Sequence, residues 1–146
     1  MKHKLFALLG AGILFCSTLS GAAVAADMPQ VAAASWDIAP NFIAITRAYS
    51  NLSLANSMGM MLCEGLTKVA PGYTAATTVE LQRYTSSGWE TIKSWYYAPN
   101  TTESSIWEYW YVDGGYTYRC HVTHQSLSGG RVIETDYSDS RTVEFY

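Results

Sequence analysis

The sequence predicts an all-β protein, an antiparallel β-sandwich of about seven short strands, and three observations lead there. Strand-like runs of alternating apolar and polar residues recur, with turn residues every ~8–12 positions. Aromatic residues make up 14% of the chain and charged residues only 14%, a composition that suits pleated, half-buried surfaces. No stretch shows a helical period closed by caps at both ends.

The first residues read as a targeting segment rather than as fold. Lys2, His3 and Lys4 give a basic start, an uncharged apolar run follows from Leu5 to Leu19, and small residues from Gly21 to Ala26 precede the first acid, Asp27. That is the three-part pattern of a secretory signal peptide, expected over 1–26. The run is short for a ~20-residue membrane span. Phe15 is bulky for the position before a lipid-modified cysteine at Cys16. The basic start and short core look bacterial, and the expected location is secreted and extracellular.

Residues 27–41 hold Pro29, Pro40 and three consecutive alanines, and read as a tether. One domain is expected over 42–146, in keeping with its length. Ala44 to Leu62 is the most helix-tolerant stretch, although its Ser and Asn residues and Gly59 count against a helix. Strands are expected at Gly59–Leu66, Thr78–Tyr84, Trp89–Tyr97, Ser105–Val112, Tyr116–His124, Arg131–Asp136 and Arg141–Tyr146. The turns between them fall at Thr85–Gly88, Pro99–Asn100, Asp113–Gly115 and Ser128–Gly130, with a break at Ser138–Ser140.

Cleavage of the leader removes Lys2 and Lys4, leaving seven basic residues against twelve acidic, a net charge of −5. No basic patch or basic helix is present, so neither nucleic acid nor, after cleavage, a membrane is an expected partner. Cleavage also removes Cys16, leaving Cys63 and Cys120 in an exported protein, the simplest case for one disulfide.

The run Gly115-Tyr116-Thr117-Tyr118-Arg119-Cys120-His121-Val122 resembles strand F of immunoglobulin-like and fibronectin-type-III-like sandwiches, in which a Tyr two residues before a buried position ties the preceding corner to the backbone. The resemblance implies that Gly115 and Tyr118 form that corner. It also implies that Cys63, on the second strand, meets Cys120 as an inter-sheet disulfide. Counted in twos from Tyr118, Trp107 and Tyr109 are expected inward, and Glu108 and Trp110 outward. With Cys63 inward, Met61 and Gly59 also face in, while Met60, Leu62 and Leu66 face out unless a bulge shifts the strand. The usual core Trp of strand C is absent near Thr77 and Thr78, and Asp113 lies one position from the familiar acidic site. Residues 40–146 also resemble small secreted single-domain proteins of unknown function from Gram-positive bacteria. Their pattern includes a Leu-Gln-Arg strand, a Gly-Trp hairpin and a Gly-Tyr-x-Tyr-Arg strand.

Catalytic chemistry is sparse. His121 and His124 are three apart on a strand, so they point to opposite faces and cannot share a metal; both are expected to be exposed. No Gly-x-Ser-x-Gly elbow or phosphate-cradling loop is present. Asp136 and Asp139 leave open a carboxylate pair for acid–base work or calcium. Asn51-Leu52-Ser53 and Asn100-Thr101-Thr102 match glycosylation acceptors, relevant only in a eukaryotic secretory pathway. Aromatics cluster at Trp89, Trp95–Tyr97, Trp107 and Tyr109–Tyr111; Trp89, Trp110 and Tyr111 are the surface candidates for binding. The expectation is a non-enzymatic interaction module without cofactor or metal, monomeric, taking an extracellular protein or glycan as partner. The alternatives are a carbohydrate-binding module stacking sugars on Trp89 and Trp110, and a small hydrolase using Asp136 or Asp139.

Overall fold

The structure is a computed structural model that describes residues 43–146 and the backbone of Ser35–Trp36. The expected signal peptide lies outside the described residues, as does the tether apart from that dipeptide. The described chain is all-β: β1 (Ser35–Trp36), β2 (Ile45–Leu54), β3 (Met60–Val69), β4 (Thr74–Thr85), β5 (Gly88–Tyr97), β6 (Glu103–Tyr111), β7 (Tyr116–Ser128), β8 (Arg131–Asp139) and β9 (Val143–Phe145). The helix-tolerant stretch is the β2–β3 hairpin. Its paired strands bury alternate side chains, a gain that a short, uncapped helix with internal Gly59 would not match.

Two antiparallel sheets share the core. The first has the order β1-β2-β3-β6 and the second β5-β4-β7-β8, with β9 also paired to β7. The first sheet contributes Leu52, Met61, Cys63 and Ile106; the second contributes Val79, Leu81, Tyr118, Cys120 and Val122. Alternation along β3 is strict. Met61, Cys63, Gly65, Thr67 and Val69 face in, and no bulge is needed. Met60, Leu62 and Leu66 do face out, half-covered because β3 runs between β2 and β6.

Gly65 sits where β3 approaches the second sheet most closely. A Cβ there would lie 2.5 Å from Val79 Cγ2, 3.1 Å from Val122 Cγ1 and 3.2 Å from Thr77 Cγ2. All three neighbours belong to buried residues on β4 and β7, so relief requires the sheets to part. Gly65→Ala is therefore expected to lower stability by about 2 kcal/mol, within the range for overpacking a core. Urea unfolding checks this, and an unchanged midpoint would count against so tight an approach.

Two hydrogen-bond devices fix the sandwich ends. Tyr118 Oη donates to the Asp113 carbonyl at 2.6 Å, bracing the β6–β7 corner where Gly115 takes φ +89°. At the other end, Glu134 of β8 accepts from three successive amides, Ile43, Ala44 and Ile45, at 2.8–3.0 Å. One carboxylate thus anchors the entry to β2 on the opposite sheet.

Candidate functional site

The phase of β6 decides which aromatics are available. Among the described residues β6 pairs only with β3, not with β7. Ile106 stands opposite Gly65, Glu108 opposite Cys63 and Trp110 opposite Met61. Even-numbered residues of β6 therefore share the inward face of β3. This reverses the expectation for four residues. Trp107 and Tyr109 lie on the outer face, and Glu108 and Trp110 lie on the inner side. The count failed because Tyr118 is on the other sheet and imposes no phase on β6.

The outer face of the first sheet consequently bears Trp107, Tyr109 and Tyr111 in a row, exposed by 69%, 56% and 59%. Side chains two apart on a strand repeat at about 6.7 Å, so the three rings form a ladder. Beside them on β3 lie Glu64 opposite Trp107, Leu62 opposite Tyr109 and Met60 opposite Tyr111. Glu64 is held by the Asn51 amide, whose Nδ2 donates to Oε2 at 2.6 Å. Met60, Tyr109, Trp110 and Tyr111 line a shallow depression of about 340 Å³ at the end of the ladder.

The three sequence-nominated aromatics are not brought to one site. Tyr111 belongs to the ladder. Trp110 is 40% exposed at the seam between the sheets, edge-on to Trp95 at 6.3 Å and under Lys93 Nζ at 4.4 Å. Trp89 lies on the outer face of the second sheet, edge-on to Tyr84 at 5.1 Å and covered by the Arg119 guanidinium at 4.3 Å. Trp89 and Trp110 cannot stack on one ligand.

The second sheet's outer face also carries an ion-pair cluster. Asp139 accepts from Arg119 Nη1 at 2.8 Å and contacts His121 Nδ1 at 2.6 Å, while Arg119 Nε donates to Gln82 at 2.9 Å. Tyr137 stacks on the His121 ring, centroids 5.7 Å apart. Asp136 and Asp139 do not form a pair, since residues three apart on β8 point to opposite faces. Among the described residues no group of three potential metal ligands converges.

His124 is not exposed; it is fully buried between the sheets. Thr77 Oγ1 donates to the Ser104 carbonyl at 3.0 Å and contacts Thr67 Oγ1 at 2.7 Å; Thr67 Oγ1 in turn meets His124 Nδ1 at 2.8 Å, and His124 Nε2 meets Ser138 Oγ at 2.7 Å. With the Thr77 proton committed to Ser104, the chain closes in one sense. Thr67 donates to Thr77, and Nδ1–H donates to Thr67. At neutral pH the ring is uncharged, so Nε2 accepts from Ser138. Burial first, then the nearby His121, lowers its pKa to about 4. The network links both sheets, and its reach is structural.

Cys63 and Cys120 are both buried and approach to 3.6 Å, longer than the ~2 Å of a disulfide, so the expected bond is not closed at this separation. The hydrogen bond to Cys63, then burial, pushes the Cys120 thiol far above its ordinary value, which favours the protonated form.

No protein-family model matches the chain, and neither a curated protein nor a solved structure shows significant similarity to it. What defines the protein at this point is its class, an all-β chain of two facing antiparallel sheets with an exposed aromatic ladder.

Proposed function

We propose that this protein is an exported, non-enzymatic binding module with an immunoglobulin-like fold, and that it engages its ligand through the outer face of β3 and β6. The observation that supports this most directly is the Trp107–Tyr109–Tyr111 ladder, three large rings left in solvent on a rigid sheet. Contiguous apolar exposure of this kind marks interaction surfaces, and Trp and Tyr dominate the residues that anchor binding. The immunoglobulin-like reading is supported by the strand grouping. β2, β3 and β6 share one sheet and β4, β7 and β8 the other, as strands A, B, E and C, F, G do in that fold, with the cysteines on the B and F equivalents. Outside the cell, a disulfide-bearing oxidant that takes up the two electrons and two protons would let the facing thiols close to the disulfide by a shift of about 1.5 Å.

The test is saturable binding of the exported protein to immobilised cell-wall, glycan and protein fractions. Trp107→Ala is expected to weaken the captured interaction ten-fold or more while leaving the melting temperature unchanged, because an exposed ring contributes little to folding. Binding that is indifferent to both Trp107→Ala and Tyr109→Ala would sink the proposal.

A glycan is the second reading, favoured by one detail. Glu64, held by Asn51, lies cross-strand from Trp107, so a sugar ring stacked on the indole meets a carboxylate and an amide for its hydroxyls. A glycan array carries that distinction. Its silence, alongside protein capture, removes the sugar.

A further inference from the structure

Among the described residues, the edge of β6 away from β3 carries neither a paired strand nor a bulge, unlike the other long outer strands of the two sheets. An exposed strand edge presents unpaired N–H and C=O groups, and natural proteins blunt such edges with bulges, short strands or cover. β2 is covered by β1 and carries an extra residue, Thr46, at its register shift. β5 carries one at Ile92, and β8 one at Ile133, as their registers step past a residue. β6 pairs with β3 from Glu103 to Tyr111 without a shift, contains no proline, and has Glu103 and Glu108 as its only charges.

The hydrogen-bond phase of that edge follows from its two ends. Val112 N donates to the Gly59 carbonyl at 2.9 Å, and Val69 N donates to the Thr102 carbonyl at 2.9 Å. Even-numbered positions therefore turn their backbone groups toward β3. With no shift between these ends, Glu103, Ser105, Trp107, Tyr109 and Tyr111 turn theirs outward.

We propose that β6 pairs with β6 of a second copy of this chain, antiparallel about a two-fold axis at Trp107. Trp107 is the midpoint of the strand. Centring there sets Trp107 against Trp107, Ser105 against Tyr109 and Glu103 against Tyr111. Every outward-turned residue thus meets an outward-turned residue, and the phases match along the whole strand. On the inner side Ile106 meets Glu108 and Ser104 meets Trp110. Neither glutamate opposes a glutamate, so the pairing avoids the like-charge contacts that penalise facing strands. The central contact is an aromatic cross-strand pair. The contact is isologous and closes as a dimer. The two first sheets become one continuous sheet, and the two aromatic ladders lie side by side on its outer face. This goes beyond the proposed binding role and departs from the monomer expected of the sequence. It also turns one ligand-contacting face into two adjacent ones, which raises avidity for a repeating ligand.

Sedimentation of the protein in the form its cell exports is expected to give twice the monomer mass at about 100 µM, with dissociation on dilution. Ser105→Pro removes only an outward-facing N–H, which an edge position tolerates, and is expected to yield a monomer that still binds ligand through the ladder. Trp107→Lys sets two like charges against each other on the axis and is expected to do the same to the mass. Amide exchange at Ser105, Trp107 and Tyr109 should quicken on dilution, while Ile106 and Glu108, bonded to β3, stay protected. A wild-type protein that remains monomeric at that concentration overturns the pairing. So does a dimer whose Ser105, Trp107 and Tyr109 amides exchange equally fast before and after dilution. Either result leaves the ladder's binding role standing, because capture by the Ser105→Pro protein reads that role separately.

Discussion

Lowering the pH from 7 to 4 is expected to remove about 3 kcal/mol of folding stability through His124 alone. The ring is neutral in the folded protein, with its pKa lowered to about 4, against about 6.5 in the unfolded chain. Between those values the unfolded state binds the proton and the folded state does not. The contribution is therefore complete above pH 6.5 and is lost as the pH falls through the window to 4. Protonation also puts a hydrogen on Nε2, where Ser138 now donates, so the Ser138–His124–Thr67–Thr77 chain must break or reorganise. Urea unfolding of the wild type at several pH values between 7 and 4 measures the slope. His124→Gln should flatten that slope, and an equally steep dependence in the variant would show that the proton goes elsewhere.

If Cys63 and Cys120 close to a disulfide as proposed, its reduction is expected to cost about 4 kcal/mol, the chain-entropy value for a closed loop of 57 residues. Both sulfurs are buried in the central cluster with Leu52, Met61, Leu81 and Tyr118, so reductant reaches them only when the sheets part. With that bond closed, the protein should resist alkylation without denaturant and reductant, and its intact mass should fall about 2 Da below the reduced value. Two thiols that alkylate in denaturant without reductant would show that the bond does not form. Gly65→Ala acts on the same sheet contact from the β3 backbone. Its effect and that of reduction should therefore fail to add, because the sites share neighbours.

Much of the fold was legible because strands announce themselves locally. The Val79–Leu81 alternation, the Ser86–Ser87 hairpin and the Gly-containing turns before β7 and β8 each depend on residues adjacent in the chain. Tyr118 and its corner were legible for the same reason, since donor and acceptor lie five residues apart. The binding face was not. In Ser-Ile-Trp-Glu-Tyr-Trp-Tyr both phases of the alternation are apolar, so periodicity cannot say which set is buried. The only local hint was Ser104 and Ile106, smaller than the rings that follow them and so better suited to a closely packed interior. His124 was missed because the hydroxyls of its network, Thr67, Thr77 and Ser138, come from β3, β4 and β8, and no single spacing encodes that.

By itself, the sequence determined the all-β class, the approximate positions of the strands and turns from β3 onward and the candidate cysteine pair, because period-two alternation and turn chemistry are properties of neighbouring residues. Only the tertiary structure decided that Trp107 and Tyr109 face solvent, that His124 is sealed between the sheets and that, among the described residues, β6 is paired on one side alone. Each of those depends on which strand lies beside which. A one-residue change of phase exchanges the faces of a strand, and that phase is set by pairing with β3, whose nearest β6 partner lies 35 residues away in the chain, from Lys68 to Glu103.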